Sequence, residues 1–473
     1  MTPIEMLSLL SVLVIASLLR LIPSRLNGYF GSDAFYHLMV ARKERELGHL
    51  PEKDPGLVPE MTRVYPPLLH TILYPFKGIG ERVALLGLSP IIDVIAMLVL
   101  YFIGDELGVK EPLWPVALYA VSPLNVVDAA SLNARPIANL ALTLVFMFSY
   151  LYWQNGDLLY LIVIALSGAG VMLSNKMAVQ VFAPCAVAVS IVAMLDSPHR
   201  GIFLLASFLL AVGVATIVTL GGYLRKTLPD HIRFMRVHMA HGDYGEAKRA
   251  LPSPLRLAKA NPISVFAPFL GLYWLYEVGS DDLMLFLVVW ALPVLLLAQF
   301  WIWGDSWRYL QFGTIPSVLI VGYALARTEL LGHLGGAVLA FILAALLVAT
   351  IIQLSRAVKT DPAARLIAAV RKLPPEWRTK LDGALVYSNM SHYSVPYELG
   401  AKMFSGNPSS EGMELYFKAI GKGTDSLKSI AELAKETLGR PLDYYILFKG
   451  FKEPRRDGFK VLLESESIAI LAE

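Results

Sequence analysis

The sequence predicts a mainly α-helical, polytopic membrane protein with about eleven transmembrane helices and a small soluble C-terminal α/β domain. Three observations carry this reading. Of the 473 residues, 56% are hydrophobic and only 17% charged, against about 25% charged in an ordinary soluble domain. The apolar residues gather in stretches of roughly 17–23, the length that crosses a bilayer core. Those stretches stop near residue 357.

The apolar runs are 4–22, 83–104, 112–128, 136–153, 157–174, 177–195, 201–221, 263–279, 282–303, 307–326 and 333–355. Backbone groups in lipid must be satisfied within their own segment, and nothing here alternates with strand period, so the runs are read as helices. The first run lacks a basic head and an Ala-x-Ala site, which marks a retained span rather than a cleaved signal. Residues 66–78 read as a short lateral or re-entrant helix. The boundary between a membrane domain, 1–356, and a soluble domain, 357–473, follows from the end of the runs. In the second domain, 363–370 and 427–438 have helical period. The stretches 383–387 (GALVY), 444–448 (YYILF), 458–463 and 467–471 read as short strands.

Composition excludes some classes. A net charge of +3 gives no footing for bulk nucleic-acid binding. The lone cysteine, Cys185, forms no internal disulfide and sits in an apolar run, where a packed, inert thiol is expected. Eleven spans put the chain ends on opposite sides and sort the connections into two sets. Short turns occupy one face. The loop 23–66, the segment 128–136, Asn175–Lys176, the basic loop 222–262, the Gly304–Arg308 connection and the C-terminal domain occupy the other. Elaborate loops gathered on one side mark the side that carries function. Lys and Arg also favour that face, and the positive-inside rule would place it in the cytoplasm.

Chemistry-bearing residues concentrate there. The first loop opens with Gly-Ser-Asp-Ala-Phe-Tyr-His-Leu, 31–38, and ends with Val-Tyr-Pro-Pro-Leu-Leu-His, 64–70. Asp33, close after the first span, has the chemistry of a general base or of a ligand to a divalent cation, with His37 and Tyr65 as substrate-binding neighbours. The plainer reading of Ser32 or Asp33 is a helix N-cap, and both can hold at once. Arg135 precedes a proline that suits a helix's first turn, and its guanidinium has the fork that grips a phosphate. Its plainer reading is interfacial snorkelling. Lys176 and Gln180 lie one turn apart at the start of another span, where a lysine pairs with an anion or snorkels. Asp305 and Arg308, in Trp-Gly-Asp-Ser-Trp-Arg-Tyr-Leu, share one helical face. They are read as a phosphate-binding pair or a mutual salt bridge, with Trp301, Trp303 and Trp307 as an interfacial belt. The loop 222–262 carries eight basic residues and His231, His238 and His241 without zinc spacing. It reads as an amphipathic segment on anionic head groups or as a lid.

The two elements of the first loop resemble the catalytic subunit of oligosaccharyltransferase, above all its archaeal and bacterial single-subunit forms. The wider class is the GT-C membrane glycosyltransferases, which use a lipid-phosphate-linked sugar. The resemblance covers the first loop well and the other spans only in layout. It implies that Asp33 is catalytic and helps to hold a divalent cation (Mn or Mg). It implies that Arg308 meets the polyprenyl- or dolichyl-phosphate-linked donor, and that a mobile loop closes on the substrate. It also implies a position outside the cytoplasm, opposite to the positive-inside count. The chain departs from the pattern in three places. Asp128 stands without a D-x-D or E-x-D partner. Arg135-Pro136 looks more like the monosaccharide-transferring members. No W-W-D-Y-G motif occurs, and Val-Tyr-Ser-Asn-Met-Ser-His-Tyr, 386–393, takes its place.

Three functions compete. The first is a glycosyltransferase moving a sugar or glycan from a lipid-phosphate carrier to a protein, lipid or glycan acceptor at the bilayer. The second is a true oligosaccharyltransferase with a divergent acceptor motif. The third is a non-enzymatic transporter or lipid-binding scaffold. Transporters carry broken mid-span helices and internal repeats, which the sequence lacks.

Overall fold

The computed structural model describes residues 2–473 except 32, 110, 242–252, 280, 300–305, 328–331, 391–392, 407–408, 422–425 and 452. Helix covers each of the eleven apolar runs, but unequally. Seven helical stretches among the described residues are long and apolar enough to span a bilayer: Pro3–Asn27, Ile79–Glu106, Arg135–Asn155, Lys176–Asp196, Pro198–Val218, Asp282–Gln299 and Gly335–Arg371. Leu158–Ser174 and Pro262–Val278 have 17 residues each. Two runs are interrupted. The run 112–128 splits into Leu113–Ala120 and Pro123–Ala129, because Ser122 turns extended before a proline that starts the second helix. The run 307–326 begins as a 3-10 helix, Ser306–Gly313, and continues as Thr314–Arg327. The chain is a multi-pass membrane protein.

Two compact units emerge. The first comprises Met1–Leu26, Val83–Tyr223 and Arg249–Lys359. Its core is aromatic and tightly packed. Trp290 and Phe146 lie 4.9 Å apart, and Phe182 and Phe208 meet edge to face at 5.5 Å. Small residues let helices approach closely, as Gly168 does against Ala211. Its outer helices expose large apolar side chains, including Leu7, Val14 and Leu18 on the first. Cys185 is buried, with Sγ 3.4 Å from the Trp290 carbonyl.

The second unit comprises Asn27–Arg82, Leu224–Lys248 and Thr360–Glu473. Its strands are β1 Leu57–Val58, β2 Leu385–Ser388, β3 Lys402–Phe404, β4 Tyr444–Phe448, β5 Lys460–Glu464 and β6 Ile468–Ala472. They form one sheet in the order β1-β3-β2-β4-β6-β5, parallel through β4 and antiparallel beyond it. Both faces are covered. Leu366, Val370 and Trp377 pack on one side, Leu427, Ile430 and Leu433 on the other. That is why YYILF and IAILA read as continuous apolar runs. The sequence-drawn boundary at 356/357 left the whole first loop with the spans. In the compact units, 27–82 pack with the C-terminal residues, where β1 completes the sheet's edge: Met403 N donates to Gly56 O at 2.9 Å and Ser405 N to Val58 O at 3.1 Å.

Candidate functional site

Polar residues inside the membrane unit form one connected chain. Arg20 is fully buried in the first helix. Its Nε donates to Asp93 Oδ2 at 2.6 Å, and one terminal nitrogen donates to the carbonyls of Ala16 and Ala120. Tyr119 Oη donates to Asp93 Oδ1 at 2.7 Å. Asn139 Nδ2 donates to that Tyr119 oxygen at 2.6 Å, and Asn125 Nδ2 reaches it at 3.3 Å. Thr314 Oγ1 donates to Asn125 Oδ1 at 2.6 Å and accepts from Asn261 Nδ2 at 2.8 Å. Removing one member of such a buried ion pair costs about 3–5 kcal/mol, since it strands the other charge.

This chain walls a cleft lined by Asp93, Asn125, Asp128, Arg135, Asn139 and Gln311. Arg135 opens the helix Arg135–Asn155. Asn133 prepares the turn before it: Oδ1 accepts from Arg135 N at 2.8 Å, and Nδ2 donates to Asp128 O at 2.6 Å. Arg135 Nη1 forms an ion pair with Asp128 Oδ1, both side chains being largely buried.

Lys176 begins the helix Lys176–Asp196 and is buried. Asn175 caps that helix, its Oδ1 accepting from Met177 N at 2.8 Å and Ala178 N at 3.2 Å. One turn on, Gln180 Oε1 accepts from Tyr309 Oη. Tyr309 follows Arg308 in the 3-10 helix, and Arg308 lies with its guanidinium carbon 5.5 Å from the Trp307 ring centre. The same 3-10 helix meets the cleft, where the Gln311 carbonyl accepts from Asn125 Nδ2 at 3.3 Å. Arg135, Lys176 and Arg308 thus sit on elements that touch one another. Asp305, Trp301 and Trp303 lie outside the described residues.

The loop residues of the second unit form a different kind of assembly. Asp33 is exposed in the first turn of the helix Asp33–Leu47. Tyr36 and His37 point into a buried aromatic cluster. Tyr36 Oη donates to Asp54 Oδ1 at 2.7 Å, and His37 Nδ1 lies 3.0 Å from His70 Nε2. Tyr65, half-buried, packs against His37 at 5.1 Å and Tyr36 at 5.7 Å, and Tyr393 against Tyr36 at 5.2 Å. Burial, with His37 and Arg63 nearby, holds His70 well below its ordinary pKa. Burial and the Asp54 carboxylate push the Tyr36 phenol well up. His37 is 1% exposed and packs within this cluster.

A divalent cation needs several oxygen or nitrogen ligands. Among the described residues no group of three His, Cys, Asp or Glu side chains is placed to share one. Tyr36 and His37, the neighbours of Asp33 in sequence, are committed to Asp54 and His70.

Within the loop 222–262, the helix Leu228–His241 packs on the helix Ser410–Gly421. Asp230 accepts from Ser410 N at 2.9 Å and Oγ at 2.7 Å, and Arg233 pairs with Glu414. Residues 242–252 and the side chains of His238 and His241 lie outside the description. Asn389, within the stretch 386–393, bridges the sheet. Its Oδ1 accepts from Phe448 N at 2.8 Å and its Nδ2 donates to Phe448 O at 3.1 Å, extending the β2–β4 pairing.

Sequence reasoning missed Arg20, Asp93, Tyr119 and Gln311. A signal existed for two of them: Arg20 and Asp93 are charges inside apolar runs, and such charges seek one another or a polar cavity.

Solved structures with the same architecture are GT-C glycosyltransferases. Oligosaccharyltransferase AglB from Archaeoglobus fulgidus, in complex with an inhibitory peptide and a dolichol-phosphate, matches with a TM-score of 0.59 at 13% identity. The match covers 94% of this chain and 70% of that one. ArnT from Cupriavidus metallidurans in the apo state matches with a TM-score of 0.62 at 13% identity, over 98% of this chain and 97% of its own. The same protein bound to undecaprenyl phosphate gives 0.59 at 12% identity, with the same coverage. No family model and no curated sequence matches the chain. The fold is the GT-C fold.

Proposed function

We propose that this chain is an integral-membrane glycosyltransferase. It moves a sugar or glycan from a polyprenyl- or dolichyl-(di)phosphate carrier to an acceptor at the bilayer surface. The observation that carries this reading is the end-to-end likeness, 98% of this chain on 97% of the other, to a protein solved with undecaprenyl phosphate.

In this reading Lys176 and Arg308 hold the carrier phosphate. They lie on elements joined by the Gln180–Tyr309 hydrogen bond, and Lys176 adds its charge to a helix N-terminus, which favours anions. Arg135, compensated by Asp128, orients the neighbouring cleft. Asp33 is the base. It takes a proton from the acceptor nucleophile, which forms a bond to the anomeric carbon. The bond from that carbon to the phosphate oxygen breaks, its electron pair leaves with the carrier phosphate, and the configuration inverts.

The test begins with mass spectrometry of lipids that co-purify with the protein in nanodiscs. A transfer assay with that lipid-linked sugar follows. We expect Asp33→Ala to lower turnover about 10²–10⁴-fold, the range of a lost general base, with lipid retention unchanged. Arg308→Ala should raise KM for the lipid donor instead. Full activity in the Asp33→Ala protein overturns the assignment of the base. No transfer to any protein, lipid or glycan acceptor overturns the transferase reading. Transfer restricted to Asn-containing peptides identifies an oligosaccharyltransferase.

A further inference from the structure

The 3-10 helix Ser306–Gly313 is the part of the membrane unit that ordinary helix physics explains least. Three-residue turns have poorer hydrogen-bond geometry than α turns, and runs longer than about three or four residues are uncommon. This one has 8 residues. It runs without a break into the α-helix Thr314–Arg327, whose winding would be the more stable continuation. Something outside the segment therefore holds it.

Two buried asparagines from other helices supply the grip. Asn261 is fully buried between the helices Pro254–Ala260 and Pro262–Val278. Its Nδ2 donates to the Leu310 carbonyl at 3.4 Å and to Thr314 Oγ1 at 2.8 Å. Asn125, in the helix Pro123–Ala129, donates to the Gln311 carbonyl at 3.3 Å and accepts from Thr314 Oγ1 at 2.6 Å. The hydroxyl of Thr314, the first α residue, is thus gripped from both sides, and two carbonyls of the 3-10 segment are held beside it. We infer that Asn125 and Asn261 are positioning residues: they hold Ser306–Gly313 in the 3-10 winding, and that winding sets the direction of Arg308.

The direction follows from helix geometry. The α-helix Thr314–Arg327 is fixed by its core side, where Ile315, Val318, Leu319 and Ile320 are fully buried. A 3-10 helix advances about 120° and about 2.0 Å per residue, an α-helix about 100° and about 1.5 Å. Rewinding the segment as α from Thr314 backwards would turn Arg308 by about 120° around the axis and draw it in by about 3 Å. The Leu310 and Gln311 carbonyls would turn by about 60–80°, away from both asparagines. Tyr309 would leave Gln180, which now accepts its hydroxyl one turn beyond Lys176. In the observed winding Arg308 and Gln311 lie on one face, because residues three apart eclipse in a 3-10 helix. Gln311 lines the cleft with Asp128 and Arg135. The step from this direction to donor binding rests on the reading that Arg308 holds the carrier phosphate.

The test has two arms, both on full-length protein in nanodiscs. In the first, Tyr309 is replaced by fluorotyrosine, and fluorine NMR reads its bond to Gln180. Gln180→Leu supplies the resonance of a Tyr309 without that partner. Asn125→Leu and Asn261→Leu should each move the resonance toward it. In the second arm, undecaprenyl phosphate is titrated. Each asparagine substitution should weaken binding about five- to tenfold, by the loss of one hydrogen bond that keeps the binding-competent winding populated. The same substitutions should add nothing in the Arg308→Ala protein, whereas general damage to the unit would add in full. Melting curves establish that each variant is folded. Thr314→Val keeps the shape but removes the hydroxyl that both asparagines hold, and it serves where an asparagine variant does not fold. A Tyr309 resonance indifferent to these substitutions overturns the inference. Losses of binding that repeat in full in the Arg308→Ala background, or no loss where Arg308→Ala itself weakens binding, overturn the claim that the winding directs Arg308. The two readings fail separately. Undecaprenyl phosphate binding untouched by Arg308→Ala removes the carrier role of Arg308, while the hold on the winding stands on the Tyr309 resonance.

Discussion

Buried histidines set the residue scale. His37 and His70 share one hydrogen bond at 3.0 Å, and His70 Nδ1 has no partner among the described residues. Charged or titratable groups face the pair from several segments: Tyr36 from the same helix, Asp54, Arg63 and Tyr65 from the loop, Tyr393 from the C-terminal residues. Burial depresses the His70 pKa below 6.5, its ordinary value. Unfolded chain therefore binds a proton that the folded chain refuses. The stabilisation is complete above about pH 6.5 and is lost as pH falls toward the depressed value. Glu44 works the other way, since burial raises its carboxyl. Denaturant unfolding between pH 7.5 and 5.5 should show stability declining with acidity, and His70→Phe should flatten the slope. Equal slopes in the two proteins would remove His70 as the cause. His37 and Tyr65 were legible as a motif, yet a motif does not say whether a side chain faces solvent or core.

Elements follow from patterns that differ in reach. Runs of about twenty apolar residues identified every long span, because length and hydropathy are properties of the segment alone. Interruption at Ser122-Pro123 and the 3-10 geometry of 306–313 were less legible, since both depend on what the segment packs against. The strands β1 and β3, of two and three residues, are too short to display any period. Helix contacts were not legible either, and one makes a sharp prediction. A Cβ added at Gly201 would stand 2.5 Å from Met194 N and 2.6 Å from Ser190 O, backbone atoms of the preceding helix that cannot step aside. Gly201→Ala should destabilise the membrane unit by about 1–3 kcal/mol, the range for overpacking. Gly336→Ala, with nothing within 4 Å, should be neutral or slightly stabilising. Equal melting temperatures for the two variants in the same detergent would contradict the close approach.

At the scale of the whole molecule, the second compact unit is assembled from three stretches of chain. Residues 361–473 by themselves lack β1, so the outer edge of β3 would be unpaired. They also lack Val58 and Met61 from one face of the sheet, and Phe35 from the cluster with Ala363 and Ile367. An isolated 361–473 fragment should therefore unfold at lower urea than the full chain and associate through its bare edge. A peptide of residues 50–66 added in trans should raise the fragment's midpoint by restoring the strand. A monodisperse fragment indifferent to that peptide would show that β1 contributes nothing to the sheet's stability.

The sequence by itself determined the solvent of each segment. Apolar length marked the spans, and two loop motifs pointed to the GT-C class. Each is a property read within one stretch of chain. Only the tertiary structure decided which polar residues meet. Arg20 with Asp93 and Asn125 with Thr314 are separated by 73 and 189 residues, and no local period records such pairings. Burial of His37 in an aromatic cluster and the pairing of Arg135 with Asp128 are likewise written in no local pattern. Neighbouring charge and exclusion of water set what a side chain can do, and both are decided in three dimensions.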